Sequence, residues 1–318
     1  MSRKFFERIG YDGNLEDISR KVCQDFSIGE FESNELILVG YEDFNFILKT
    51  DKGNYVIKVF ANSREDDECK RIVDVNLAAM EGDVTIPKLI KSSYGYLHRT
   101  TIGSSDMRIC VLEYIDGKNL YALKHKANED EIKFLSRQAS LINSLTINPR
   151  FIYDGWAITN FAREFKRKGK YLEKEDFGII EALLEEFNML DIENLPHCFV
   201  HGDLISPNVI RENTGRMWII DFGASNRYPR IQELAVLACD VLFIENDKIK
   251  SDKNLEIALD EYQKTVKLTD NELAILPLYV RFGHAMHVLS ANYEKVAKEN
   301  RSKENEYFLR IGRAGLRN

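Results

Sequence analysis

Two short strings gather the residue types that can do chemistry. Residues 201–208 read HGDLISPN and residues 221–223 read DFG, each set beside apolar runs where a packed core would usually exclude charge. Their composition suits a nucleoside triphosphate accompanied by magnesium. Magnesium takes hard oxygen ligands, one or two from the protein beside waters and substrate phosphates, so Asn208 and Asp221 are of the right kind to hold it. Asp203 is then left to orient a hydroxyl acceptor and take its proton.

The elements that must position these groups are short. NVIRE and MWIID, on either side of an NTGR turn, are too brief for helices and too β-branched for loops. They predict a hairpin that returns Asp221 toward Asn208. The same chemistry needs a cation on the phosphates, and NYVIKVF at 54–60 places one on a strand: alternation puts Asn54, Val56, Lys58 and Phe60 on one face. Lys58 therefore has apolar neighbours on its own side. A carboxylate on the following helix is expected to hold it, with Asp74 first by helical position and Glu68 second.

Length and composition agree with two lobes. A chain of 318 residues with 44% hydrophobic and 30% charged residues exceeds the usual size of a single-core domain. The net charge of −7 argues against a general nucleic-acid or anionic-membrane binder. The longest nearly apolar run, LAVLACDVLFI at 234–244, is too short to span a bilayer and contains Asp240, and the opening residues lack a leader's apolar core. A cytoplasmic protein without nucleic-acid or membrane partners is expected. Cys23, Cys69, Cys110, Cys198 and Cys239 show neither a CxxC pair nor metal-ligand spacing, which reads as free thiols in a reducing compartment.

The pattern type changes along the chain. Residues 35–60 give three β-branched or aromatic runs separated by turn signals at Gly40 and TDKGN, a helix pattern follows at 63–80, and strand-like runs come at 94–101 and 107–115. Beyond EYIDGKNL the period is helical, with segments at 128–145, 174–190, 231–245, 252–267, 270–298 and 302–316. Pro277 is expected to kink or break the fifth. The fold class is α+β, with a small antiparallel-sheet N-terminal lobe carrying one helix and a larger, mostly helical C-terminal lobe.

The ordered strings VIKVF, LEYIDGKNL, VHGDLISPNVI and WIIDFGAS resemble the aminoglycoside phosphotransferase and choline kinase superfamily of small-molecule kinases. GYEDFNFILKTDKGNYVIKVF is similar to the homoserine-kinase-type branch. The resemblance covers roughly residues 35 to 316 and implies a bilobal protein-kinase-like fold, with a nucleotide lobe at 1–116, a hinge about 113–117 and a catalytic and acceptor lobe at 117–318. It implies ATP and Mg2+, with Asp203 as catalytic base, Asn208 and Asp221 as metal ligands and Lys58 on the phosphates. His201 and Gly202 would shape the loop, the backbone of Glu113 and Ile115 would meet adenine, and the turn from Gly40 to Asn45 would cover the phosphates.

Departures from that pattern bear on the acceptor. Ile205 stands where protein kinases carry a lysine, and no A-P-E motif follows DFG, which argues against a protein substrate. A nucleotide-binding scaffold without turnover is the alternative from another class; the presence of Lys58, Asp203, Asn208 and Asp221 together weighs against it. A metallohydrolase would need more ligands near Asp203 than the histidines at 98, 125, 197, 284 and 287 supply. For the acceptor itself, Arg281, His284 and His287 fall within two helical turns in a basic C-terminal stretch and are expected to line one face toward a carboxylate or phosphate. That favours a small amino acid or related metabolite over an aminoglycoside. A choline-like cation would instead need an aromatic cage, for which Trp156, Tyr114 and Tyr153 are the candidates.

Overall fold

The computed structural model describes residues 6–37 and 43–317. Gly40 lies outside them. The chain divides into two compact units, one taking the chain up to Glu81 with Thr85–Gly117 and Arg211–Ile220, the other taking Gly82–Val84, Lys118–Ile210 and the chain from Asp221 onward.

The first unit is built on a six-stranded antiparallel sheet. Strands β1 (Phe31–Leu36), β2 (Phe44–Thr50), β3 (Gly53–Val59), β4 (Leu89–Ile90), β5 (His98–Ile102) and β6 (Ser105–Glu113) run in the order β1-β2-β3-β6-β4, with β5 also on β6, and a short strand β7 (Gly117–Asn119) follows them in the chain. Alternation buries Phe44, Phe46 and Leu48 of β2 with Ile57 and Val59 of β3. Against that face packs α1 (Leu15–Phe26), through Ile18, Val22 and Phe26. Its cap is Asn14, whose side-chain oxygen accepts the N–H groups of Glu16 and Asp17 at 2.6 and 3.2 Å. This helix is additional to the one expected. The expected helix, α2 (Asp66–Glu81), sets Cys69, Ile72 and Val73 against Phe60, Leu89 and Cys110.

The second unit is mostly helical: α3 (Leu120–Leu123), α4 (Glu129–Asn143), α5 (Phe161–Lys168), α6 (Lys174–Asn188), α7 (Ile231–Cys239), α8 (Lys248–Tyr262), α9 (Asp270–Ala297) and α10 (Lys303–Arg317). All nine residues of α7 are buried, so this helix forms the centre that others surround. A capping box of Thr269 and Glu272 starts α9, which then continues through Pro277 rather than ending there. Of the kink or break expected at that proline, the break does not occur. Helix α10 lies close on α9: a Cβ added at Gly315 would come within 2.2 Å of the His284 ring, so only glycine fits. Among the described residues no helix is long and apolar enough to cross a membrane.

Candidate active site

The two reactive strings are anchored by one small ladder. Strand β8 (His197–Val200) leads into HGDLISPN and strand β11 (Asn226–Pro229) leaves DFG, and the two pair antiparallel with Val200 opposite Asn226. The other ends of the strings continue into β9 (Val209–Glu212) and β10 (Met217–Ile219), which are neighbours in a second short sheet. Trp218 at its base is buried and donates its indole N–H to Glu212 at 2.7 Å.

Within the 201–208 loop every backbone turn has a partner that explains it. His201 is fully buried; its N–H donates to Glu233 Oε2 at 2.6 Å, its ring nitrogen Nδ1 accepts the Asp203 N–H at 3.2 Å, and its ring packs 4.4 Å from that of Phe222. Gly202 sits at φ +80°, where a Cβ would press on the Ala224 carbonyl at 3.2 Å. Asn208 then closes the loop on itself. Its amide N–H groups donate to the Asp203 carbonyl at 3.0 Å and to the Asp203 carboxylate at 2.7 Å, so the oxygen of that amide is what it offers to a cation. Asp221 takes the left-handed conformation, φ 66° and ψ 71°, and caps the following turn by accepting the Gly223 N–H at 3.1 Å. Such conformations cost energy in a non-glycine residue and concentrate at functional sites.

Acidic groups gather here. Burial pushes the Asp203 carboxyl up to about 8, with the charges of Asp221 and Asp154 adding to the effect and the Asn208 bond opposing it. Asp154 is itself raised to about 6 by burial, although it accepts the Trp156 N–H at 2.8 Å. Burial likewise raises Glu233 to about 8 against the pull of the His201 and Gly202 N–H groups and of Asn143. A cation bound between Asn208 and Asp221 would relieve this repulsion. Among the described residues no three His, Cys, Asp or Glu side chains converge as a metal cage.

The first unit supplies a different set. Lys58 lies 3.5 Å from Asp43 Oδ2, and Asp43 also accepts from Arg64 Nε at 2.7 Å and from the Ala61 N–H at 3.2 Å. Asp74 does not hold Lys58: it faces outward and pairs with Lys70 at 2.5 Å, one turn back on α2. Glu68 accepts the Glu65 N–H at 3.1 Å, a helix-start role. Asn45 stands opposite Lys58 in the β2–β3 register, and its buried side-chain oxygen has no hydrogen-bond partner among the described residues. At the end of β6, the Glu113 N–H donates to Lys88 O at 2.8 Å and the Ile115 carbonyl accepts from the Gly117 N–H at 2.9 Å.

The basic face expected for the acceptor is not assembled. Arg281 is half exposed and lies 3.6 Å from Glu186 of α6, whereas His284 and His287 are 3% and 8% exposed and turned into the packing with α10. Burial holds both imidazoles far below the ordinary value, at about 3 and about 4, so they are neutral and carry no charge for an anion. What composition and spacing did not reveal is Asp154, in a loop tied to the end of the DFG segment: Asn226 accepts the Ile152 N–H at 3.1 Å and donates to the Ile152 carbonyl at 2.9 Å. Glu233 and Asp240 were visible only as two carboxylates in an apolar helix run.

A lobe of antiparallel sheet and a helical lobe centred on a buried helix define the protein-kinase-like fold of small-molecule kinases. The model of the phosphotransferase enzyme family matches residues 34–264, and the chain belongs to that family. The homoserine kinase of Zymomonas mobilis subsp. mobilis is 20% identical over 263 residues, covering 82% of this chain and 80% of that relative. Among solved structures, an amicoumacin kinase in complex with AMP-PNP, Ca2+ and Ami superposes with a TM-score of 0.68 at 15% identity, covering 100% of this chain and 96% of that one. A microcompartment-associated aminopropanol kinase gives 0.67 at 12% identity, covering 94% of each. At these identities the solved structures speak for the fold.

Proposed function

We propose that the protein transfers the γ-phosphoryl group of ATP, with Mg2+, to the hydroxyl of a small amine-bearing alcohol, a hydroxylated amino acid first among them. The observation that carries this is the clamp of Asn208 on Asp203. It fixes the carboxylate that takes the acceptor's proton and presents an amide oxygen to the cation. Asp221 is the second protein ligand, and Mg2+, when bound, supplies charge neutralisation on the phosphates. Lys58 contacts the phosphates, beside the unpartnered oxygen of Asn45. The Glu113 carbonyl and the Ile115 N–H, complementary to the hinge groups already bonded, meet the adenine edge. The cytoplasm is the setting in this reading, in keeping with five cysteine thiols that form no disulfide.

Asp154 and the half-exposed ring of Trp156 support the amine. In this reading Asp154, whose charge acts on Asp203, takes the acceptor's ammonium beside the Trp156 indole, a region that already draws the Lys168 ammonium to 5.9 Å from the ring. The names of the similar kinases, homoserine and aminopropanol, denote amino alcohols. The test is ADP release from ATP and Mg2+ against L-homoserine, 1-amino-2-propanol, ethanolamine, choline and kanamycin. Turnover concentrated on a small primary amino alcohol is expected. Preference for kanamycin would overturn the acceptor class, and no release above the water rate with any of them would overturn the kinase reading.

A further inference from the structure

The 201–208 loop is held from behind at two places. Glu233 takes its first residues; Asp240, the residue that caps α7, takes its last turn. Asp240 is 2% exposed. One of its oxygens accepts the Ser206 N–H at 2.7 Å together with the Ser206 hydroxyl, and the other accepts the Tyr307 hydroxyl at 3.0 Å. Ser206 opens the short turn Ser206–Asn208, so this carboxylate sets the backbone from which Asn208 reaches Asp203.

Tyr307 connects this anchor to another surface. Its ring is half-buried on α10 and meets Tyr121 at 5.0 Å and Phe308 at 5.4 Å, while Phe308 meets Trp156 at 5.7 Å. One side chain thus belongs to the aromatic surface beside Asp154 and, through its hydroxyl, to the support of the loop. Among the described residues the hydrogen bonds to this buried carboxylate come from a serine and a tyrosine, an expensive way to fill space if packing were its whole purpose.

We propose that Asp240 and Tyr307 are positioning residues of the transfer reaction, tying the acceptor-side aromatic surface to the turn that carries Asn208 and thereby to Asp203. This rests on the kinase reading above. Tyr307→Phe keeps the ring and removes one hydrogen bond; kcat for ADP release, with L-homoserine or with water alone, is expected to fall about three- to tenfold while KM for ATP stays within about twofold. Asp240→Ala is expected to lower kcat further and Asp240→Asn to restore most of it, because an amide can still bond Ser206 and Tyr307. A purely structural role would lower the melting temperature yet leave kcat of the folded protein at the parental value, and that result would overturn the proposal. Amide hydrogen exchange across 201–208 in the full chain gives an arm that needs no acceptor. Faster exchange there in Tyr307→Phe, with β2 and β3 unchanged, supports the tie. Parental exchange in that variant overturns it, and absence of ADP release from the parent protein counts against the kinase reading while this arm still decides the tie.

Discussion

The carboxylate beside Lys58 in the first unit and those around the two strings in the second are handled in opposite ways, even though elsewhere in the second unit buried Glu164 and Glu272 pair with Lys168, Arg167 and Arg230. In the first, burial works to raise Asp43, but the Lys58 ammonium and the Arg64 guanidinium outweigh it and hold the carboxyl below the ordinary aspartate value. In the second, Asp203, Glu233 and Asp240 are all raised by burial, and their hydrogen-bonding partners are amides and hydroxyls rather than cations. The first unit is thus locally balanced and keeps its lysine in place. The acids around the two strings are instead held toward their neutral form, and a bound cation would favour their ionised form.

The largest expected effect comes from removing charge where it is unbalanced. Asp203→Asn should reduce kcat by about 10²- to 10⁴-fold while the melting temperature stays level or rises, since a carboxylate repelled by Asp221 and Asp154 is replaced by a neutral isostere. A parental kcat, or a clear loss of stability, would show that the acids around the two strings carry no functional role of this kind. Next in size, Asp154→Asn should raise KM for the amino-alcohol acceptor by about tenfold with KM for ATP unchanged. The same residue gives a pH signature. Its carboxyl titrates at about 6, so the ammonium loses its partner as pH falls through that value; parental KM for the acceptor should climb below pH 6, and the Asn variant should lack that climb.

Neutralising the balanced unit should act on folding instead. Asp43→Asn removes a buried counter-charge from Lys58 and Arg64 and is expected to cost about 1–3 kcal/mol in denaturant unfolding. An unaltered midpoint would erase the contrast drawn between the units. The smallest effect is expected at Arg281, 48% exposed at its side chain: Arg281→Gln should change the acceptor KM by less than about twofold. A large rise there would return the basic face of α9 to consideration.

Much of this organisation is legible in the residues themselves. HGDLISPN, DFG and the strand lysine carry their chemistry in local strings, and the strand-rich start and helical remainder follow from periods of two and 3.6. What escapes is set by contacts distant in sequence. Helical position favours Asp74 as the partner of Lys58, but Asp74 has Lys70 one turn away, and the carboxylate that reaches the lysine stands at the entry to β2. The period of α9 puts Arg281 and the two histidines near one another without saying which arc faces inward, a matter settled by the glycines of α10. Asp154 is invisible for the same reason: the side chain of Asn226, distant in sequence, ties its loop to the end of the DFG segment. Helix α1 is the exception, since Asn14 before Leu15, Ile18, Val22 and Phe26 is a local signal.

The ladder of β8 and β11 has a consequence for how this chain can vary. Because one strand leads into the first string and the other leaves the second, an inserted residue between Val200 and Asp203, or between Asp221 and Asn226, would shift one string against the other and turn alternate side chains to the wrong face. The spacing within each half is therefore locked. The exposed tip between Glu212 and Met217 is not, for a loop there can lengthen at small entropic cost while both strand ends stay paired. Length variation among natural or engineered versions should collect at that tip and avoid the segments on either side of the ladder.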